Sequence, residues 1–200
     1  MNIHLDKLVA GYPEFALQPT TLTIPSGSFT ALIGPNGCGK STLLKTIANV
    51  LPRRTGEITL DGQPLAHWSR KQLAQKLAFL PQNPLLPEGI NVERLVSYGR
   101  TPYQNFLGLQ SPEDRKIVAK AMATVDVQAF ARKQVSTLSG GQQQRAFIAM
   151  CIAQDTPCIL LDEPTSFLDI RYQYDVLCLL SELHQQGRTC VVVLHDIQQA

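Results

Sequence analysis

No run of apolar residues in this 200-residue chain reaches the ~18 needed to span a bilayer. The chain is not expected to cross a membrane alone, so any transport role calls for a separate membrane subunit. Charge of one sign is also lacking: 18 Lys and Arg against 16 Asp and Glu leave a net charge of +2, with no basic run. That balance predicts no nucleic-acid footprint. Its five cysteines (Cys38, Cys151, Cys158, Cys178 and Cys190) form neither a Cys-x-x-Cys pair nor a zinc spacing. With no signal peptide ahead of them, they read as reduced cytosolic thiols. Internal repeats and low-complexity tracts are missing as well. A content of 44% apolar and 17% charged residues is ordinary for a globular protein, and the length suits one domain with a subdomain.

What is present is an interleaving of strands and helices. Ile3 to Val9 alternates, Thr20 to Ile24 is a second strand, and Pro25-Ser26-Gly27 is a turn before a strand over Ser28 to Ile33. Leu43, Leu44, Ile47 and Leu51 recur at helical spacing. Glu57 to Leu60, followed by Asp61-Gly62, reads as a hairpin. Ser69 caps a short helix, and Leu77 to Leu80 is a strand ending at Pro81-Gln82. Residues 84–154 are helical in character, with Ser111-Pro112-Glu113-Asp114 a strong helix start. Cys158 to Leu161 and Thr189 to Leu194 are short buried strands. Between them a helix over Ile170 to Gln186 carries Val176, Leu177, Leu180 and Leu183 on one face, and Gly187 stops it. This order implies an α/β fold with a mainly parallel sheet and an inserted helical subdomain. One domain over 1–200 then divides into a core of 1–83 and 155–200 and a helical part of 84–154. Ending at Ala200, inside an expected helix, the chain reads as truncated at its C-terminus.

Three segments carry chemistry. Gly34-Pro35-Asn36-Gly37-Cys38-Gly39-Lys40-Ser41, followed by Thr42, lies between a strand and a helix. Glycines there let backbone N–H groups turn inward at a helix start, Lys40 reaches the β- and γ-phosphates, and Ser41 is placed to ligate Mg²⁺. The plain alternative is a glycine-rich turn before an ordinary helix. Cys38, at that helix start, is either a redox-sensitive thiol or simply a small residue. Next, Asp162 and Glu163 end a buried apolar strand, the usual ligand edge of an α/β sheet. As neighbours on a strand they point to opposite sides, which suits two roles better than one shared metal site. Finally, Ser139-Gly140-Gly141-Gln142 has the form of a capping box opening a helix through about Ala153, and its bare N–H groups make a second anion site.

The loop, with Leu138-Ser139-Gly140-Gly141-Gln142 about a hundred residues later, resembles the ATP-hydrolysing subunits of ABC transporters, whose signature is this five-residue run. The resemblance spans the whole chain. It implies a P-loop NTPase core of RecA type with an antiparallel β-subdomain and the helical subdomain, using ATP and Mg²⁺. It makes Asp162 the residue that orients Mg²⁺ and Glu163 the general base. Gln82 then contacts Mg²⁺ or the lytic water, and His195 is the switch histidine on the γ-phosphate. Asp169 matches the D-loop reaching across a dimer, although Phe167 stands where alanine is commonest. Tyr12 matches the aromatic that stacks on adenine. Ser139 to Gln142 would grip ATP on the opposite subunit's loop, so the partner is a second copy packed head to tail.

Pro87 to Val92, Leu95 to Arg100 and Asp162 to Ile170 are most similar to importers of ferric siderophores, ferric citrate and vitamin B12. An iron chelate is the expected cargo, with vitamin B12 or haem as the alternative. Expected partners are membrane permease subunits docking near Pro84 to Tyr103 and, indirectly, a periplasmic or extracellular substrate-binding protein. The expected place is the cytoplasmic face of a bacterial inner membrane, held peripherally. A soluble ABC ATPase of DNA repair or translation is the other class. Repair members place long coiled coils between loop and signature, and translation members usually carry two loops.

Overall fold

In the computed structural model, two sheets of different strand direction share the chain, and residues 1–86, 88–104, 108–165 and 168–194 are described. The first sheet is antiparallel. It contains β1 (Ile3–Tyr12), β2 (Phe15–Ala16), β3 (Thr20–Ile24), β5 (Arg53–Leu60) and β6 (Gln63–Pro64). Its order is β2-β1-β5-β6, with β3 also pairing β1. The second is wholly parallel, made of β4 (Phe29–Leu32), β7 (Leu77–Leu80), β8 (Cys158–Asp162) and β9 (Thr189–Val193) in the order β4-β9-β8-β7.

The alternation expected of β1 changes phase in the middle. Ile3 and Leu5 point inward, and then Leu8 and Ala10 do, because the pairing register slips at Lys7, whose φ is 44°. Strict alternation would have driven the Lys7 ammonium into the core. A bulge keeps it out and restores Leu8 to the buried face. Opposite it lies Gly56, where a Cβ would come within 2.4 Å of the Lys7 carbonyl oxygen, so the bulge needs glycine there.

Every residue of β8 and β9 is buried, as parallel strands covered on both faces must be. The period of two sends alternate residues to two different cores. Cys158, Leu160, Val191 and Val193 join α1 (Lys40–Ile47) and the antiparallel sheet. Ile159, Leu161, Cys190 and Val192 face the remaining long helices. These are α3 (Val92–Ser97), α4 (Pro112–Thr124), α5 (Gly140–Ala153) and α6 (Ile170–Gln185), while the short α2 (Arg70–Ala74) lies before β7. That second core runs unbroken from the sheet into α3, α4 and α5.

Capping sets the helix starts. Ser69 with Gln72, Ser111 with Asp114, and Ser139 with Gln142 each form a reciprocal capping box at the head of α2, α4 and α5. Helix α1 ends at Ile47, and Asn49 leaves it in the left-handed region (φ 56°), so Leu51 lies beyond the helix expected to hold it. The buried stripe of α6 is Val176, Leu179, Leu180 and Leu183. Leu179 takes the place expected of Leu177: each residue turns the helix by about 100°, which sets Leu177 at the flank of the stripe, half-buried and still packed against the same core.

Candidate nucleotide-binding site

The loop between β4 and α1 is shaped by one close approach. Gly39 caps α1 with φ 101°, and a Cβ on it would fall 2.2 Å from Leu17 Cδ2. Only glycine fits there, and its small size bares the first amides of α1. Lys40 curls over the loop and donates from Nζ to the Gly34 and Pro35 carbonyls at 2.7 and 3.0 Å, with Cys38 Sγ 3.9 Å away. Beside the loop lies a cavity of about 620 Å³. Asn36, Gly37, Gly39, Lys40, Ser41 and Thr42 line one side, with Gln82 and Glu163 opposite and Tyr12 and Phe15 at another edge. Gly34, Pro35 and Cys38 of the same loop do not line the cavity.

The acidic side is built at the end of β8. Asp162 is fully buried, and its Oδ1 accepts from Ser41 Oγ at 2.8 Å. Its Oδ2 has no partner among the described residues. Burial pushes the Asp162 carboxyl above its ordinary range; the Ser41 hydrogen bond opposes this and neighbouring Glu163 adds to it. A buried carboxylate with a spare oxygen, next to a hydroxyl, is the hard oxygen donor set that Mg²⁺ prefers.

Glu163 does not follow the strand alternation expected of it. The strand stops at Asp162, and Glu163 adopts φ 51° while its N–H donates to the Val193 carbonyl at 3.2 Å. That left-handed residue, rather than the pleat, separates the two carboxylates. It directs Glu163 to the cavity, where Oε2 accepts from Gln82 Nε2 at 2.7 Å. Gln82 is delivered by the end of β7, two strands of the same parallel sheet thus bringing the pair together.

The remaining candidates lie elsewhere. Asp169 caps α6, accepting from the Tyr172 N–H at 3.1 Å. Ser139 caps α5, accepting from the Gln142 N–H at 3.3 Å while the Gln142 side chain accepts from Ser139 N–H at 3.1 Å. None of residues 139–142 lines the cavity of its own chain. His195 and Phe167 fall outside the described residues. The sequence reading missed Phe15, which pairs with Tyr12 across a tight hairpin and shares the cavity edge. Its signal was available: two aromatics flank Pro13-Glu14, a two-residue turn that sets them side by side.

Comparison with known proteins now bears on this geometry. A family profile described as ABC transporter matches residues 17–166. The chain belongs to the ABC transporter family. Among curated ABC relatives, the petrobactin import ATP-binding protein FpuD of Bacillus anthracis is 48% identical over 196 residues, covering 97% of this chain and 72% of its own length. The ferric enterobactin transport ATP-binding protein FepC of Escherichia coli K12 is 46% identical over 197 residues, covering 98% and 73%. Among solved structures, the dimeric bacterial ABC transporter cassette MJ0796 superposes with a TM-score of 0.88 at 31% identity, over 99% of this chain and 90% of that one. The same cassette in a post-hydrolysis state with ADP and Pi gives a TM-score of 0.88 at 30% identity, over 99% and 90%.

Proposed function

We propose that the chain is the ATP-hydrolysing subunit of an ABC importer, energising uptake of an iron chelate (a ferric siderophore or ferric citrate) through a separate membrane permease. One observation carries the ATPase reading: Asn36, Gly37, residues 39–42, Gln82 and Glu163 converge on one cavity, with Ser41 bonded to the buried Asp162 beside it. The cargo is supported by the relatives named for petrobactin and ferric enterobactin transport.

In this reading, Lys40 exchanges the Gly34 and Pro35 carbonyls for phosphate oxygens, and the bared amides at the head of α1 take the others. Tyr12 and Phe15 offer aromatic faces to the adenine. Ser41, Asp162 and Gln82 would hold Mg²⁺, which would supply charge neutralisation at the phosphates. Glu163 orients the attacking water and accepts its proton on a carboxylate oxygen, and His195 donates to the γ-phosphate. Ser139 to Gln142 grip the nucleotide held by a second copy, and Asp169 lies on the same dimer face. The likeness to a dimeric cassette supports that arrangement. Residues 84–154 form the helical part that turns on the core of 1–83 and 155–200 and meets the permease, on the cytoplasmic side of the membrane.

The test is Glu163→Gln. Nucleotide binding should persist and an ATP-bound dimer should accumulate on size exclusion, while turnover falls about 100-fold or more. Turnover at the wild-type rate would remove Glu163 as the base. Uptake of a labelled ferric siderophore by vesicles holding the chain and its permease tests the cargo, and uptake of vitamin B12 or haem instead would replace it.

A further inference from the structure

Beyond its first turn, α5 sends two buried polar side chains across to the segment that carries Glu163 and Asp169. Gln144 is 6% exposed, and its Nε2 donates to the Pro164 carbonyl at 3.1 Å. Arg145 is 7% exposed and stacks over the Tyr172 ring, 4.3 Å from its centroid. The same guanidinium donates from Nη1 to the Val125 and Asp126 carbonyls, each at 3.3 Å, at the end of α4. Burying an amide and a guanidinium is costly unless their partners matter, and an apolar residue would fill either space more cheaply. What they hold is therefore informative. Pro164 follows Glu163 directly, and Tyr172 donates its N–H to Asp169.

Glu163 itself sits in a sparsely populated backbone region, which persists only where the surroundings over-determine it. Its N–H is held by Val193 of β9 and its carboxylate by Gln82 after β7. A restraint on its C-terminal side comes from α5, the helix that Ser139 caps. We propose that Gln144 is a positioning residue for hydrolysis: through the Pro164 carbonyl it fixes Glu163 according to the orientation of α5. A helix start that engages a partner's nucleotide thereby adjusts the general base of its own chain, which links the two sites of a dimer. This rests on the reading of Glu163 as that base.

The experiment compares Gln144→Met, which keeps length and loses the donor, with wild type and with Glu163→Gln. Gln144→Met should lower kcat about tenfold with KM for ATP held within about twofold. In a Glu163→Gln background it should leave the ATP-trapped dimer intact. An unchanged kcat overturns the inference, as does a joint loss of kcat, ATP affinity and dimer, which marks a merely structural role. If Gln144→Met does not fold, Gln144→Asn replaces it: the amide is kept but falls one methylene short of the Pro164 carbonyl, so kcat should drop about tenfold with KM for ATP held within about twofold. An unchanged kcat in that variant overturns the inference. Wild-type chain without ATPase activity, or an active Glu163→Gln, would defeat the reading of the site instead. An active wild type, an inactive Glu163→Gln and a normal Gln144→Met defeat this inference alone.

Discussion

Burial sorts the five cysteines into two chemistries. The thiols of Cys151 and Cys158 are pushed up to about 12 and that of Cys190 to about 11, each chiefly by loss of water, so none is ionised near neutral pH. Cys38 is exposed and Cys178 half-buried. At pH 8, a maleimide should label Cys38 first, Cys178 more slowly, and the other three only in denaturant, as read by mass spectrometry of peptides. Saturating ATP should protect Cys38, since Lys40 and the loop close over bound phosphate. Labelling of Cys158 in the native chain at the Cys38 rate would mean that the core opens. At this scale the sequence was legible where phosphate chemistry dictates residue type, as for Lys40 and Ser41; Gln82, which the family resemblance pointed to, lines the same cavity with them and Glu163. It was not legible where backbone geometry decides. Glu163 leaves its strand at φ 51°, and no residue type announces that.

Among elements, the head of α4 is pinned hardest. Burial would push the Asp114 carboxyl up, but the Arg100 guanidinium and the Ser111 backbone and hydroxyl donors outweigh it and hold the group below its ordinary range. A carboxyl lowered in the folded state contributes stability that is fully present above its unfolded value of about 3.9 and is lost as pH falls through the folded one. Arg100 also donates to the Ala153 carbonyl at the end of α5 and stacks on Tyr103, so one buried cation joins three elements. Asp114→Ala should cost about 3–5 kcal/mol at pH 7 in urea titrations, because Arg100 stays buried without its counter-charge. The gap to wild type should narrow below about pH 4. A loss under about 1 kcal/mol would show the pair to be replaceable by water. Helix starts such as this were readable, because capping boxes are local: Ser69, Ser111 and Ser139 each declare themselves by a partner three residues on. The slip in β1 at Lys7 was not, since it depends on Gly56 in a strand fifty residues away.

For the whole molecule, what counts is which parts of a site one chain lacks. Residues 139–142 stand apart from the cavity beside residues 36–42, so on the proposed reading each chain holds halves of two different sites. Chains bearing Ser139→Arg should bind ATP as monomers yet hydrolyse none, and so should the complementary Lys40→Ala chains turn over none. Mixed in equal amounts they should recover about a quarter of wild-type activity, because half of the randomly paired dimers contain one intact site of two. Hydrolysis by Ser139→Arg alone would make each site self-sufficient. Such long-range order was the least legible level. β4 pairs with β9 across some 160 residues, and only the interleaving of strands with helices foretold that they share a parallel sheet.

The hydrogen bond from Gln82 to Glu163 has a metabolic consequence. Cells hold abundant ATP whether or not any cargo awaits, and a subunit that cleaved it freely would run as an idle heater. On the proposed reading of Glu163 as the base, the oxygen that accepts the Gln82 amide is engaged while that bond lasts. Idle consumption would then depend in part on how often this 2.7 Å contact opens, and Gln82, just before the helical part, is where motion of that part would reach it.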